Sequence, residues 1–533
     1  MESDCIPFRE TGYFSNLICD YLDQHPGLRP FYNRFPSLEA FGEQIAEKSQ
    51  SYPRAYRKIL SETLSDQYEG IKSSKSTAAN LKLLEKENTF TVVTGHQLNL
   101  FTGPLYFLYK IISTINLTNQ LKKKYPGQHF VPVYWMATED HDFDEINYFN
   151  FQGKKLQWNR EDGGAVGRMD TDGLKAVLDT FKIHLGQGKY ARELERLFAT
   201  AYLEHDTLAG ATRYLANELF GSYGLVIVDG DDQRLKRLMV PVMEKDFAEH
   251  TTFNAVTDSI TALKEQENAY KVQVNPRKVN YFYLLDGIRE RIEERDGHFH
   301  VLNTDLKFSK EELLQELNKQ PERFSPNVIT RPVYQEVILP NLCYIGGGGE
   351  LAYWLQLKSA FDALDIPFPV LLLRNSVLMI SRKQQDKIKK LDLAIEDLFL
   401  KQSSFINKRI RKISNIDIDF SEQKAALDKQ FEDLYTLAEQ TDKSFLGAVK
   451  AQEIKQKKGL DRLEKRLLKA QRRKLEDEVA RATTLQNVLF PGQSLQERQF
   501  NFSELYLETG DTLIPGLIQH LDPLDLRFAL ITY

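Results

Sequence analysis

The densest ionisable cluster in the chain is Glu139-Asp140-His141-Asp142, followed closely by Asp144 and Glu145. A histidine flanked by carboxylates can be held in one tautomer and act as a base, or it can join a metal site. Several carboxylates around one imidazole also suit Mg2+, which prefers oxygen ligands and substrate phosphates. Asp140, His141 and Asp142 are therefore the candidate catalytic residues. The competing reading is an acidic helix start that complements the helix dipole. The run follows a buried-looking strand carrying Trp135, which favours function.

Three further loops could hold a ligand. Thr94, Gly95, His96 and Gln97 close a β-branched run, where a glycine permits a tight turn and a nearby helix start offers free N–H groups to an anion. The bland alternative is a polar turn that caps the following helix. Gly346, Gly347, Gly348 and Gly349 precede Glu350 and Tyr353, and four glycines allow close backbone approach to a ligand. Arg374, Asn375 and Ser376 end another apolar run and could neutralise phosphate or carboxylate. The dinucleotide fingerprint fails because Leu351 stands in place of its last glycine, and neither a Walker A sequence nor H-E-x-x-H occurs.

Five short apolar runs must position these loops: Thr89–Thr94, Phe130–Ala137, Leu225–Val228, Leu342–Ile345 and Pro369–Leu373. Each ends in a polar or glycine-rich loop, and a helical pattern usually follows, as over Pro104–Lys124. Continuous apolar strands alternating with helices predict a parallel sheet covered on both faces, a doubly wound α/β core. Ligands bind outside the carboxyl ends of such strands, so the loops share one rim. Residues 1 to about 85 read as mostly helical, and residues 150–302 as inserted connective material. From 377 to 490 Gly and Pro nearly vanish, and Leu460, Leu463, Leu467 and Ala470 keep three- and four-residue spacing, which predicts an antiparallel coiled-coil arm broken over Lys408–Phe420. Residues 491–533 return to a core that otherwise spans 1–376.

Composition narrows the function classes. The 533 residues are 42% hydrophobic and 27% charged, with 70 Lys plus Arg against 75 Asp plus Glu, a net charge of −5. That balance gives no general attraction for nucleic acid or an anionic membrane. The basic run Lys465 to Lys474 has acidic neighbours and reads as a solvated face. Cys5, Cys19 and Cys343 form no C-x-x-C pair and suit a reducing compartment; Cys343 reads as a core residue. The N-terminus lacks a signal-peptide pattern and no apolar run is long enough to span a bilayer, so a cytoplasmic location is expected.

The runs VVTGHQLNLFTGPLYFLYKI, FVPVYWMATEDHDFDEIN and RPVYQEVILPNLCYIGGGGELAYWLQLK, in that order, resemble the bacillithiol-biosynthesis cysteine-adding enzyme family, and GDTLIPGL near the C-terminus extends the resemblance over the chain. The resemblance implies a Rossmann-like core similar to class I nucleotidyltransferases and aminoacyl-tRNA synthetases, with connective inserts and a coiled-coil arm used for homodimerisation. It implies addition of cysteine to glucosaminyl-malate by amide formation. Because that reaction is uphill in water, ATP or another nucleotide is expected, with Mg2+ as a companion. Thr94–Gln97 stands where class I enzymes carry H-x-G-H, and departs from it, which suits hydrogen-bond donation by His96 better than proton transfer. Ser381-Arg382-Lys383 only faintly echoes K-M-S-K-S. A binding protein for a nucleotide or thiol, without turnover, is the alternative, and a coiled-coil scaffold a third.

Overall fold

The computed structural model describes residues 1–161, 163–266, 270–441 and 443–533. The five apolar runs form one parallel sheet: β1 (Thr89–His96), β2 (His129–Met136), β3 (Val226–Asp229), β4 (Asn341–Gly346) and β5 (Val370–Leu373), in the spatial order β5-β4-β1-β2-β3. Nearly every residue of these strands is buried, which is why their sequences show apolar runs without alternation. β1 extends two residues past the expected end, because Gly95 and His96 still pair with Trp135 and Met136. The order reverses between β1 and β4, where Ile345 pairs with Thr94.

Successive side chains on β4 serve opposite faces. Cys343 and Ile345 join Phe90, Val92, Leu117 and Leu121 in one buried cluster. Tyr344 stacks on Trp354 with ring centroids 4.3 Å apart. Leu117 and Leu121 belong to α1 (Tyr106–Lys124), and Trp354 ends α2 (Gly348–Trp354), so the two helices cover opposite faces. The sheet is thus wound on both sides. α1 starts at Tyr106 rather than Pro104 and is buried nearly all round, not amphipathic. The C-terminal segment covers its outer side: Asn116 Nδ2 donates to the carbonyls of Ile518 and Leu521.

The connection from β1 to α1 is held in a costly shape. Phe101 and Thr102 have φ of 47° and 69°, a left-handed conformation that non-glycine residues rarely adopt. Asn501 holds it by donating to the carbonyls of Phe101 and Gly103, each at 2.7 Å, while the Phe101 ring packs on Phe149, Phe181, Phe198 and Phe502.

Three sheets were not anticipated, one of them the hairpin of Tyr148–Phe151 with Lys154–Gln157. Glu2–Pro7 pairs antiparallel with Arg527–Thr532, next to Val377–Ile380, so the largely helical N-terminal region begins with a strand. Between β3 and β4 lies a five-stranded antiparallel sheet that includes Tyr281–Leu285, Ile288–Arg295, His298–Val301 and Phe324–Pro326. Its hairpins turn at Asp286-Gly287 and Asp296-Gly297, and Asp296 and Gly297 both have positive φ.

The chain divides into two compact units, residues 1–379 with 496–533, and residues 380–495. The second unit is helical. Its longest members, α3 (Ser421–Ala438) and α4 (Lys443–Lys474), run antiparallel: Lys424 meets Asp461 and Glu464, Asp428 meets Lys457, and Tyr435 meets Glu453. Leu427, Phe431, Ala438 and Val449 form the buried seam, with Tyr435 and Leu460 against it. Leu463, expected in the seam, is exposed. The expected break is shorter than Lys408–Phe420, because a helix spans Gln402–Ile413. Leu427→Ala should destabilise this unit by about 2–3 kcal/mol through the cavity it leaves. Hydrogen exchange in α3 and α4 would show it, while tryptophan fluorescence stays unchanged, since Trp135, Trp158 and Trp354 all lie in the first unit. Among the described residues, no helix is long and apolar enough to cross a membrane.

Candidate functional site

A cavity of about 880 Å³ opens at the carboxyl ends of β1, β2 and β4, where the strand order reverses. Open parallel sheets bind ligands at this position. All four strand-end loops contribute: Gly95, His96 and Gln97, then Thr138 to His141, then Gly347, Gly349 and Glu350, and lastly Arg374. Tyr353 also lines it.

At the floor, Lys110 projects from the second turn of α1. Its ammonium donates to the Gly95 carbonyl at 2.7 Å and pairs with Glu350 at 2.6 Å. Glu350 also accepts from Tyr344 Oη and the Gly347 N–H, both at 2.8 Å, and so caps α2. Burial pushes the Glu350 carboxyl up, but Lys110, the Gly347 N–H and Tyr344 outweigh it, and its pKa lies below the usual carboxylate value. Burial lowers the Lys110 pKa, with Glu350 opposing.

His96 is buried beside this pair, its ring against Tyr106 and Phe107. Burial, then the nearby Lys110 charge, lowers its pKa to about 3. The imidazole is therefore neutral at physiological pH, and among the described residues its Nε2 has no hydrogen-bond partner. Gln97 ties two loops together, donating through Nε2 to Asp140 Oδ2 and Glu145 Oε2, each at 2.9 Å.

The acidic run is not one cluster in space. Glu139 is ion-paired with the buried Lys236, whose ammonium also donates to the Phe324 carbonyl at 2.7 Å. Burial raises the Glu139 pKa and Lys236 opposes that rise. Asp140 receives Gln97 and the His141 N–H. His141 is half-exposed, and its Nδ1 lies 2.6 Å from Arg289 Nη1. Asp142 does not line the cavity; desolvation and then Glu145 and Asp140 raise its pKa. Among the described residues, no group of three or more His, Cys, Asp or Glu side chains is placed to hold a metal ion.

Other expected site residues serve the frame. Thr94 donates through Oγ1 to the Ile345 carbonyl at 2.8 Å and so ties β1 to β4. Gly346 ends β4, and Gly348 faces Phe14 and Ile18 rather than the cavity. Asn375 bonds Ser113 and the Asp522 carbonyl, and Ser376 Oγ accepts from Arg374. Arg374 itself is buried, doubly bonded to Glu497 at 3.0 and 2.7 Å. Its Nε lacks a partner.

Apart from Arg374, the cations were the part missed. Lys110, Arg277, Arg289, Arg291, Arg331, Arg374 and Arg498 face four acidic side chains, Glu139, Asp140, Glu145 and Glu350. Arg331 lies between the rings of Trp135 and Tyr344, 5.8 and 5.7 Å from their centroids. Its Nη1 reaches Gln335, Tyr353 interacts with the guanidinium, and among the described residues its shielded Nη2 has no hydrogen-bond partner. Lys110 left a signal in the sequence, as a lone cation inside the apolar run LYKII of a predicted helix. Arg289 and Arg291 alternate along a strand after an Asp-Gly turn.

A parallel sheet in this order, with a cation-rich cavity at its reversal point, defines a Rossmann-like α/β protein. Residues 1–375 match the family model described as bacillithiol biosynthesis BshC, N-terminal Rossmann-like domain, and residues 377–533 match its C-terminal coiled-coil domain. The chain belongs to the bacillithiol biosynthesis BshC family. Relatives named "Putative cysteine ligase BshC" include one from Christiangramia forsetii, 58% identical over all of this chain and 99% of its own length. Another, from Flavobacterium johnsoniae, is 57% identical over the full length of both. One from Lysinibacillus sphaericus is 28% identical over 97% of each.

Proposed function

We propose that this protein is a cysteine ligase of bacillithiol biosynthesis, joining the carboxyl group of cysteine to the amine of glucosaminyl-malate. The observation that carries the reading is the cavity's surplus of cations, with Arg331 Nη2 and Arg374 Nε beside it lacking hydrogen-bond partners among the described residues. Glucosaminyl-malate brings two carboxylates and cysteine a third, and paired guanidinium donors suit such groups. The same donors fit the phosphates of ATP or a similar nucleotide, which would supply carboxyl activation. Arg331, Arg374 and Lys110 would face those phosphates, and Mg2+ would arrive with the nucleotide. In the amide-forming step a C–N bond forms as the bond from the acyl carbon to its leaving group breaks. A neutral His96 donates or accepts a hydrogen bond there without carrying charge. Asp140, held by Gln97, orients the loop that bears His141.

The test is incubation of the purified chain with ATP, cysteine, glucosaminyl-malate and Mg2+, with mass spectrometry for the amide and chromatography for the spent nucleotide. Product that requires all three substrates is expected. Ligand-induced thermal stabilisation without product would instead support a binding protein. A cytoplasmic homodimer joined through α3 and α4 also belongs to this reading. Leu434, Leu437, Phe445, Leu446, Ile454 and Leu463 are exposed there.

A further inference from the structure

The contact between His141 and Arg289 decides what the histidine can do. Arg289 lies on Ile288–Arg295 of the antiparallel sheet inserted between β3 and β4. Its guanidinium is fixed independently of His141. Nε donates to Ser325 Oγ at 3.1 Å, Nη2 donates to the Pro326 carbonyl at 3.3 Å, and its carbon lies 3.9 Å from the centre of the Phe282 ring. Glu139 and Asp140 add attraction from the other side. The remaining donor, Nη1, meets His141 Nδ1 at 2.6 Å.

A guanidinium has only donors and stays charged in proteins, so Nδ1 must be the acceptor in this pair. A carbon or an N–H at that ring position would clash with the guanidinium hydrogen at this distance. The ring proton of a neutral His141 is then on Nε2, and among the described residues Nε2 has no hydrogen-bond partner. His141 lines the cavity.

We propose that Arg289 is a positioning residue that locks His141 as the neutral Nε2–H tautomer, so that His141 donates a hydrogen bond to a substrate oxygen and does not act as a base. The inference rests on this cavity being the ligase site. The charged groups that face the ring are Asp140 and Asp142 on its own loop, and Arg289 and Arg291 on the inserted strand. Burial and then Arg289 lower its pKa, which the two aspartates oppose. The shift favours the neutral ring.

The experiment has two arms. First, 15N spectra of histidine-labelled wild-type protein, with His141 assigned by the H141Q spectrum, should show for the neutral ring an unprotonated Nδ1 and a protonated Nε2, with the ring titrating below the ordinary histidine value. In Arg289→Met the ring should populate both tautomers and titrate nearer the ordinary value of about 6.5. A wild-type ring protonated at Nδ1 would overturn the proposal, whether or not the ligase reaction is found. Second, in the ligase assay, His141→Ala should lose about 100-fold in kcat/KM, the scale for removing one well-placed donor. His141→Gln, whose Nε2–H stands near the position of the imidazole Nε2–H, should recover about tenfold of that loss. The pH profiles of H141Q and wild type should have the same shape. An acid limb present in wild type and absent in H141Q would identify His141 as a base and overturn the proposal.

Discussion

Glu497→Ala should cost the first unit about 3–5 kcal/mol, because it leaves the Arg374 guanidinium buried without its counter-ion. Both side chains are almost fully buried, 3% and 1% exposed. The carboxylate makes two bonds to Arg374 and also accepts the Val377 N–H at 3.1 Å. Asn375 and Ser376 sit beside it in the same hydrogen-bonded frame. Urea unfolding followed by tryptophan fluorescence reads this unit alone, since all three tryptophans lie in it. Glu497→Gln should destabilise in the same direction, as a neutral amide still leaves the charge uncompensated. A loss below about 1 kcal/mol, the scale of an exposed pair, would show that Arg374 finds another partner or water.

Arg331→Met should lower kcat/KM of the proposed reaction about 10²–10³-fold while leaving the fold intact. Methionine retains apolar bulk between Trp135 and Tyr344 but removes the guanidinium and its unpartnered Nη2. Arg331→Lys should recover only part of the loss, because an ammonium keeps the charge without the planar pair of donors. Steady-state kinetics with each substrate varied in turn would assign the effect. A rise in KM for one acidic substrate at unchanged kcat would mean that Arg331 binds ground and transition states alike. Activity within threefold of wild type for both variants would remove Arg331 from the site.

The parallel sheet was legible because each of its strands is covered on both faces and must be apolar throughout. The inserted antiparallel sheet was not, because Ile288–Arg295 has only partial cover and alternates Arg and Glu with few apolar residues. Its two Asp-Gly turns were the available signal. The rim of the site followed from Gly95, Gly347 and Asp140 as strand-end residues. The opposite side did not: Arg331 lies in the first turn of the helix Thr330–Ile338 with no strand-end loop before it to mark it, and Arg289 belongs to a sheet that was not foreseen. Arg374 was legible as a strand-end cation, but its partner Glu497 is more than a hundred residues away across the arm, a pairing that no local spacing encodes. Asn375 and Ser376 have the same polar character as ligand-binding residues, and only burial shows that they bond the frame.

In the proposed reaction the cation-rich cavity at the reversal of the sheet performs amide formation between cysteine and glucosaminyl-malate. The most direct measurement is product mass in a single incubation of nucleotide, cysteine and glucosaminyl-malate with wild-type protein or with folded Arg331→Met. The amide is expected with wild type, and at least 100-fold less of it in the variant at equal fluorescence-monitored stability. Equal product from both proteins would contradict it.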